Sequence, residues 1–160
     1  MKSRFLCTLA TIMALCWCSF ALENLILNPG FENWSNDTLE GWEISSAEPN
    51  AVTRSTESYS GNYSVKISHK SNSSYSYVRQ AIDVKPNTVY DAYVMVRGEN
   101  IKAKTGGFAC KLFIGKYPVA NSLASSNSID GTFDWIRLYS SRFNTGAETK
   151  IWVYVYLHHA

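Results

Sequence analysis

The segment Lys150–His158 constrains the fold more than any other stretch of the chain. Side chains of a β-strand alternate between two faces, so Ile151, Val153, Val155 and Leu157 share one side. Trp152, Tyr154, Tyr156 and His158 share the other. The aliphatic side is the signature of a face turned into a core. A solvated strand face carries Thr, Ser, Lys or Glu. Here it carries three aromatics in succession, each about 7 Å from the next.

Period-2 alternation recurs along the chain, and no long stripe of period 3.6 competes with it. The predicted strands are Leu25–Leu27, Trp42–Ser46, Ala51–Arg54, Ser64–Ser68, Tyr77–Val84, Val89–Arg97, Phe108–Ile114, Trp135–Arg142 and Lys150–His158. Between them stand turn formers such as Asn28-Pro29-Gly30, Ser60-Gly61-Asn62, Lys85-Pro86-Asn87, Asp130-Gly131 and Thr145-Gly146. Residues 121–130 form the longest polar stretch and read as a surface loop. Short strands at roughly ten-residue spacing, with no helices between, predict an all-β fold, an antiparallel β-sandwich. In Val89–Arg97, Tyr90, Ala92, Val94 and Val96 share the apolar face, with Asp91, Tyr93, Met95 and Arg97 opposite.

A chain of 160 residues is one domain's worth of core. Its first 21 residues read instead as a signal peptide. Lys2 and Arg4 form a basic start, residues 5–20 are apolar, and Ser19 and Ala21 are the small residues before a cut. The expected domain is therefore 22–160, on a secreted or cell-surface protein. Without Lys2 and Arg4 the 15 basic residues become 13, equal to the 13 acidic ones. A neutral surface argues against a nucleic-acid partner. No later apolar run approaches the ~20 residues that span a bilayer. Of four cysteines, Cys7, Cys16 and Cys18 lie in the signal, and Cys110 alone remains, alternating with Leu112 and Ile114 like an inert core thiol. No intrachain disulfide and no cysteine-rich metal site is then available.

The aromatic row has two readings. One is a strand covered on both faces, by a loop or a neighbouring domain. The other is an open platform, which on a secreted protein marks a binding surface. Flat rings suit sugars: the ring covers the apolar C–H face of a pyranose, and a phenol or indole N–H bonds its rim. Covering ~80 Å² of such a face is worth about 2 kcal/mol. Trp152, Tyr154 and Tyr156 are the candidate ligand contacts. Tyr93 and Arg97 flank them if both strands share a sheet. Tyr77 and Arg79 face away from Val78, Gln80 and Ile82, toward the surface or a cleft. Gln80 is either a satisfied core amide or a donor to sugar hydroxyls. Trp42 and Trp135, at strand starts, read as packing residues. His158 and His159, adjacent on a strand, point to opposite faces and do not make a metal site. No nucleophile elbow, zinc-binding helix motif or phosphate loop is present, so the chain reads as non-catalytic.

Residues 24–32 (Asn24, Leu25, Ile26, Leu27, Asn28, Pro29, Gly30, Phe31, Glu32) with Gly41-Trp42 resemble the opening of carbohydrate-binding modules of the family 4/9/22 type. Three further segments are similar to that family in the same order: Ser60 to Ile67, Tyr77 to Ile82 with Pro86 and Tyr90, and Gly131 to Trp135 with Phe143. The resemblance covers residues 24–157. It implies a galactose-binding-like jelly roll that binds a polysaccharide or oligosaccharide without catalytic residues. It also implies covalent attachment to a glycoside hydrolase or related protein, and a structural Ca2+ in which a carboxylate at the position of Glu32 takes part. The closing strand of that pattern, with its Asp, has no counterpart before Ala160. The chain is then either a piece of a longer protein or a short relative, with an open sheet edge. Two functions follow as expectations. The first is a module tethering an attached protein to its glycan. The second is a structural or interaction sandwich without sugar affinity, whose aromatic row packs against another domain.

Overall fold

A computed structural model describes residues 23–46, 48–69, 75–103 and 109–158. The expected signal peptide, residues 1–21, lies outside them, as do Phe108, the first residue of a predicted strand, and His159. The described residues form thirteen strands and no helix. In chain order they are β1 (Trp34–Ser35), β2 (Thr38–Leu39), β3 (Glu43–Ser46), β4 (Val52–Ser55), β5 (Ser64–Ile67), β6 (Tyr75–Asp83) and β7 (Val89–Tyr90). Then follow β8 (Tyr93–Ile101), β9 (Cys110–Lys116), β10 (Ser122–Ser125), β11 (Gly131–Tyr139), β12 (Phe143–Asn144) and β13 (Lys150–His158). One five-stranded antiparallel sheet has the order β10-β9-β13-β6-β3. The pairs β8–β11, β7–β12, β4–β5 and β1–β2 make separate antiparallel ladders. This is an all-β sandwich, as the alternation requires.

Strand β13 occupies the middle of the large sheet, bonded to β6 from Lys150 to His158 and to β9 from Ile151 to Leu157. Its aliphatic side enters the core. Ile151, Val153 and Leu157 are buried there with Ile82, Leu112, Ile114, Val96 and Leu138. The last strand is thus interior. The edges of the five-stranded sheet are β10 and β3.

Three local differences from the alternation pattern have identifiable causes. The predicted strand Val89–Arg97 divides into β7 and β8, because Ser140 replaces a ladder partner at Ala92. Its Oγ accepts from Ala92 N at 3.1 Å while its own N donates to Ala92 O at 2.9 Å. Leu25–Leu27 joins no ladder, since Gln80 takes the polar groups of Leu27 and Asn24 Oδ1 accepts from Ile26 N. Leu27 N donates to Gln80 Oε1 at 2.8 Å, and Gln80 Nε2 donates to Gly41 O at 2.6 Å and Leu27 O at 3.0 Å. Gln80 is therefore a satisfied core amide. The polar stretch 121–130 contains β10, whose Ala124 is buried opposite Ile114; four residues with two serines are too short for periodicity to register.

Trp42 is a packing residue. It is buried, packs against Phe31 with ring centroids 5.0 Å apart and planes tilted by 44°, and donates from Nε1 to Leu27 O at 3.1 Å. Cys110 is buried in the core, and burial pushes its thiol up to about 11 from 9.0. A thiol that ionises later in the folded than in the unfolded chain stabilises the fold below pH 9, and that contribution fades between pH 9 and about 11. Native protein is expected to resist thiol-specific alkylation at pH 8 and to react fully once unfolded. Cys110→Ala should flatten the alkaline loss of stability over that window. Rapid labelling of the native state would contradict the burial.

Candidate functional site

The outer face of the five-stranded sheet is laid out by register. Across the strands, Phe113, Tyr154, Arg79 and Glu43 make one row, and Lys111, Tyr156, Tyr77 and Ser45 the next. His158 and Tyr75 make a third. A cleft of about 380 Å³ opens over these rows, lined by Tyr75, Tyr77, Phe113, Ala120, Tyr154, Tyr156 and His158. That volume lies at the small end of ligand clefts.

Its aromatic rings hold one another in place. Tyr77 meets Tyr154 edge-on at 5.3 Å between centroids, and Phe113 meets Tyr154 in the same way at 5.6 Å. Tyr75 stacks on Tyr77 at 6.3 Å. Offset and edge-on contacts of this kind are the favourable aromatic geometries. Burial, with the neighbouring phenols of Tyr154, Tyr75 and Tyr77, raises the pKa of Tyr156 above its ordinary value.

Trp152 is placed differently from its neighbours in the row. Its indole is only 5% exposed. Tyr117, in the β9–β10 connection, packs on it at 5.1 Å, and its Nε1 donates to Pro118 O at 3.3 Å. The Arg79 guanidinium lies over the ring, 4.0 Å from its centroid. The same guanidinium pairs with Glu43 at 2.7 Å and donates to Tyr154 Oη at 3.3 Å. Burial works against the Arg79 charge, but the bonds to Tyr154 and Glu43 outweigh it and raise the pKa above its ordinary value. The expected open row is therefore roofed at Trp152; Tyr154 is also buried, at the floor of the cleft, and only Tyr156 and His158 are partly exposed there.

The candidates Tyr93 and Arg97 are not beside this row. Both lie on β8, whose ladder partner is β11, outside the five-stranded sheet. The shared sheet they needed does not exist. Tyr93 instead sits under Arg137 at 4.5 Å, and Arg97 pairs with Glu57 at 2.7 Å. Conversely, Tyr75 and Phe113 were not among the candidates. Phe113 alternates against Cys110, Leu112 and Ile114, a pattern that places it on the outer face.

The family model described as "Carbohydrate binding domain" matches residues 23–157. The chain belongs to that family. That places it among carbohydrate-binding domains, and solved structures share its β-sandwich fold. The structure of TmCBM61 in complex with β-1,4-galactotriose superposes with a TM-score of 0.58 at 18% identity, covering 85% of this chain and 88% of that one. The enzymatically active domain of bacteriophage CBA120 tailspike protein 4 superposes with a TM-score of 0.59 at 13% identity. There the match covers 86% of this chain but only 19% of the tailspike structure. No curated protein sequence matches the module.

Glu32 of the module fastens two loops together. Its carboxylate accepts from Asn62 N at 3.1 Å and from Tyr63 N at 3.2 Å, across 30 residues of chain. Gly61 leaves the space for it, since a Cβ there would collide with the carboxylate. The fit to calcium is poor. That ion takes six to eight oxygens, whereas Glu32 is already bonded to amides and the described residues contain no group of three His, Cys, Asp or Glu able to hold a metal. Glu32→Ala is expected to cost about 1–3 kcal/mol of stability, the worth of charge-assisted hydrogen bonds. Thermal unfolding of both proteins, with chelator and with added calcium, checks the assignment. A loss that appears only with calcium present would show the carboxylate acting through a cation.

Proposed function

We propose that the cleft from Tyr154 to His158 is the glycan-binding site of a secreted module, and that the module holds an attached polysaccharide-active protein to its substrate. The cleft itself carries the reading: about 380 Å³, walled by four tyrosines, Phe113 and His158. Rings supply apolar faces for pyranose C–H groups, and phenol hydroxyls supply bonds to the sugar rim. Tyr154 and Tyr156 are the contacts retained from the row, with Tyr75, Tyr77 and Phe113 beside them. Trp152 takes a supporting role, as a shelf for Arg79 and an anchor for the β9–β10 connection. The protein of similar fold was solved with β-1,4-galactotriose, which makes β-1,4-galactan the first probe. A weakly binding module of this kind acts by raising local concentration through multivalency.

The burial of Trp152 and Tyr154 favours one competing reading, in which the whole row is structural packing without sugar affinity. Affinity electrophoresis in galactan, glucan, xylan and mannan gels separates the two. Tyr156→Ala and Tyr77→Ala should each weaken retardation about tenfold, corresponding to about 1.4 kcal/mol. Trp152→Ala should chiefly lower the unfolding temperature. Retardation in none of the four gels, with Tyr156→Ala clearly less stable than the parent, would favour the packing reading and remove the cleft as a sugar site. Export is tested separately: the secreted protein is expected to begin at Leu22.

A further inference from the structure

A second and larger cavity, about 850 Å³, opens outside the five-stranded sheet, between the β4–β5 connection, β8 and the first half of β11. Its walls include Glu57, Arg97, Glu99, Phe133, Asp134 and Trp135. The composition is that of a polar groove with one aromatic side. Trp135 is half-buried and meets the exposed Tyr59 ring at 5.9 Å between centroids, inclined by 57°. Phe133 lies against Gly98, where any Cβ would collide with the ring, so glycine lets the ring lie close against the strand.

The polar groups stand where a ligand can reach them. Arg97 Nη1 and Glu57 Oε1 are 2.7 Å apart, with their side chains 44% and 72% exposed. Asp134 Oδ1 accepts from Trp135 N at 2.8 Å, which fixes the carboxylate beside the indole. An indole covers the C–H face of a pyranose, a carboxylate accepts from its hydroxyls, and a guanidinium donates to its oxygens. Three carboxylates against one guanidinium leave the lining net negative, which disfavours uronates and other acidic sugars. We infer that this groove is a second saccharide site, taking pyranosides that carry no acidic group. It does not rest on the cleft being a sugar site, since it shares no residue with it. Two sites on different parts of one module would let it engage two chains, or two stretches of one chain.

The test uses the full chain labelled with 5-fluorotryptophan, with the Trp135 and Trp152 resonances assigned from Trp135→Phe and Trp152→Phe. The probes are β-1,4-galactotriose, N-acetylchitotriose, its deacetylated form and a galacturonic acid trimer. At least one of the first three is expected to shift the Trp135 resonance saturably, and the uronate trimer is not. Arg97→Gln and Tyr59→Ala should each weaken that response about tenfold. Tyr156→Ala, in the cleft, should leave it unchanged. A Trp135 resonance unmoved by all four probes overturns the site. An equal response to the uronate overturns the charge argument on which it stands, and loss of the response in Tyr156→Ala would show that the groove is not a site of its own.

Discussion

Strand β13 is the element on which both the fold and the site depend, because its two sides have incompatible requirements and both are met. Its aliphatic side must be removed from water. That happens at the centre of the core, against Leu112, Ile114 and Ile82 from its two sheet neighbours. Its aromatic side is thereby forced outward at the middle of a five-stranded sheet, with β9 and β6 on either side to supply Phe113, Tyr77 and Tyr75. A one-residue slip in register would exchange the two sides, which is why so strongly two-faced a strand pairs in one register only. The position of the cleft is a consequence of how the core is built.

The interior could be read from period 2 because burial acts on every second residue of a strand. Ile151, Val153 and Leu157 in β13, and Val78 and Ile82 in β6, needed nothing beyond that rule. The outer face was harder to read, because exposure there depends on residues remote in sequence. Trp152 and Tyr156 have the same place in the alternation, yet one is roofed by Tyr117 and Pro118 and the other borders open space. The cause is the β9–β10 connection, tied down by Ala120 N donating to Lys116 O and by the Lys116–Glu148 ion pair at 3.1 Å. No spacing rule connects residue 117 to residue 152. Tyr93 and Arg97 were misplaced for a related reason. A strand's alternation fixes which residues share a face and says nothing about which sheet the strand joins.

Arg79 links these observations. A guanidinium that lies over an indole, bonds a carboxylate and donates to a phenol satisfies three neighbours at once, and each neighbour limits the freedom of the others. Glu43 on β3, Trp152 and Tyr154 on β13 and Arg79 on β6 thus form one polar-aromatic unit across three strands. Nothing in the separate sequence segments announces that unit. It exists because antiparallel register sets Arg79 opposite both Glu43 and Tyr154.

Rigidity of this kind bears directly on recognition. A small cleft has little area to bury, so an affinity worth having requires that little be lost in ordering the protein on binding. Tyrosine meets that condition better than long polar side chains, since it has few rotatable bonds for its contact area. Here its freedom is further reduced before any ligand arrives. Tyr154 is held by Phe113, Tyr77 and Arg79, and Tyr77 in turn by Tyr75. The rings that pack the outer face of the sheet are the same rings that line the cleft. Stability and the proposed ligand contacts therefore draw on one set of rings, and the burial of Tyr154 is part of what makes the cleft a preformed surface.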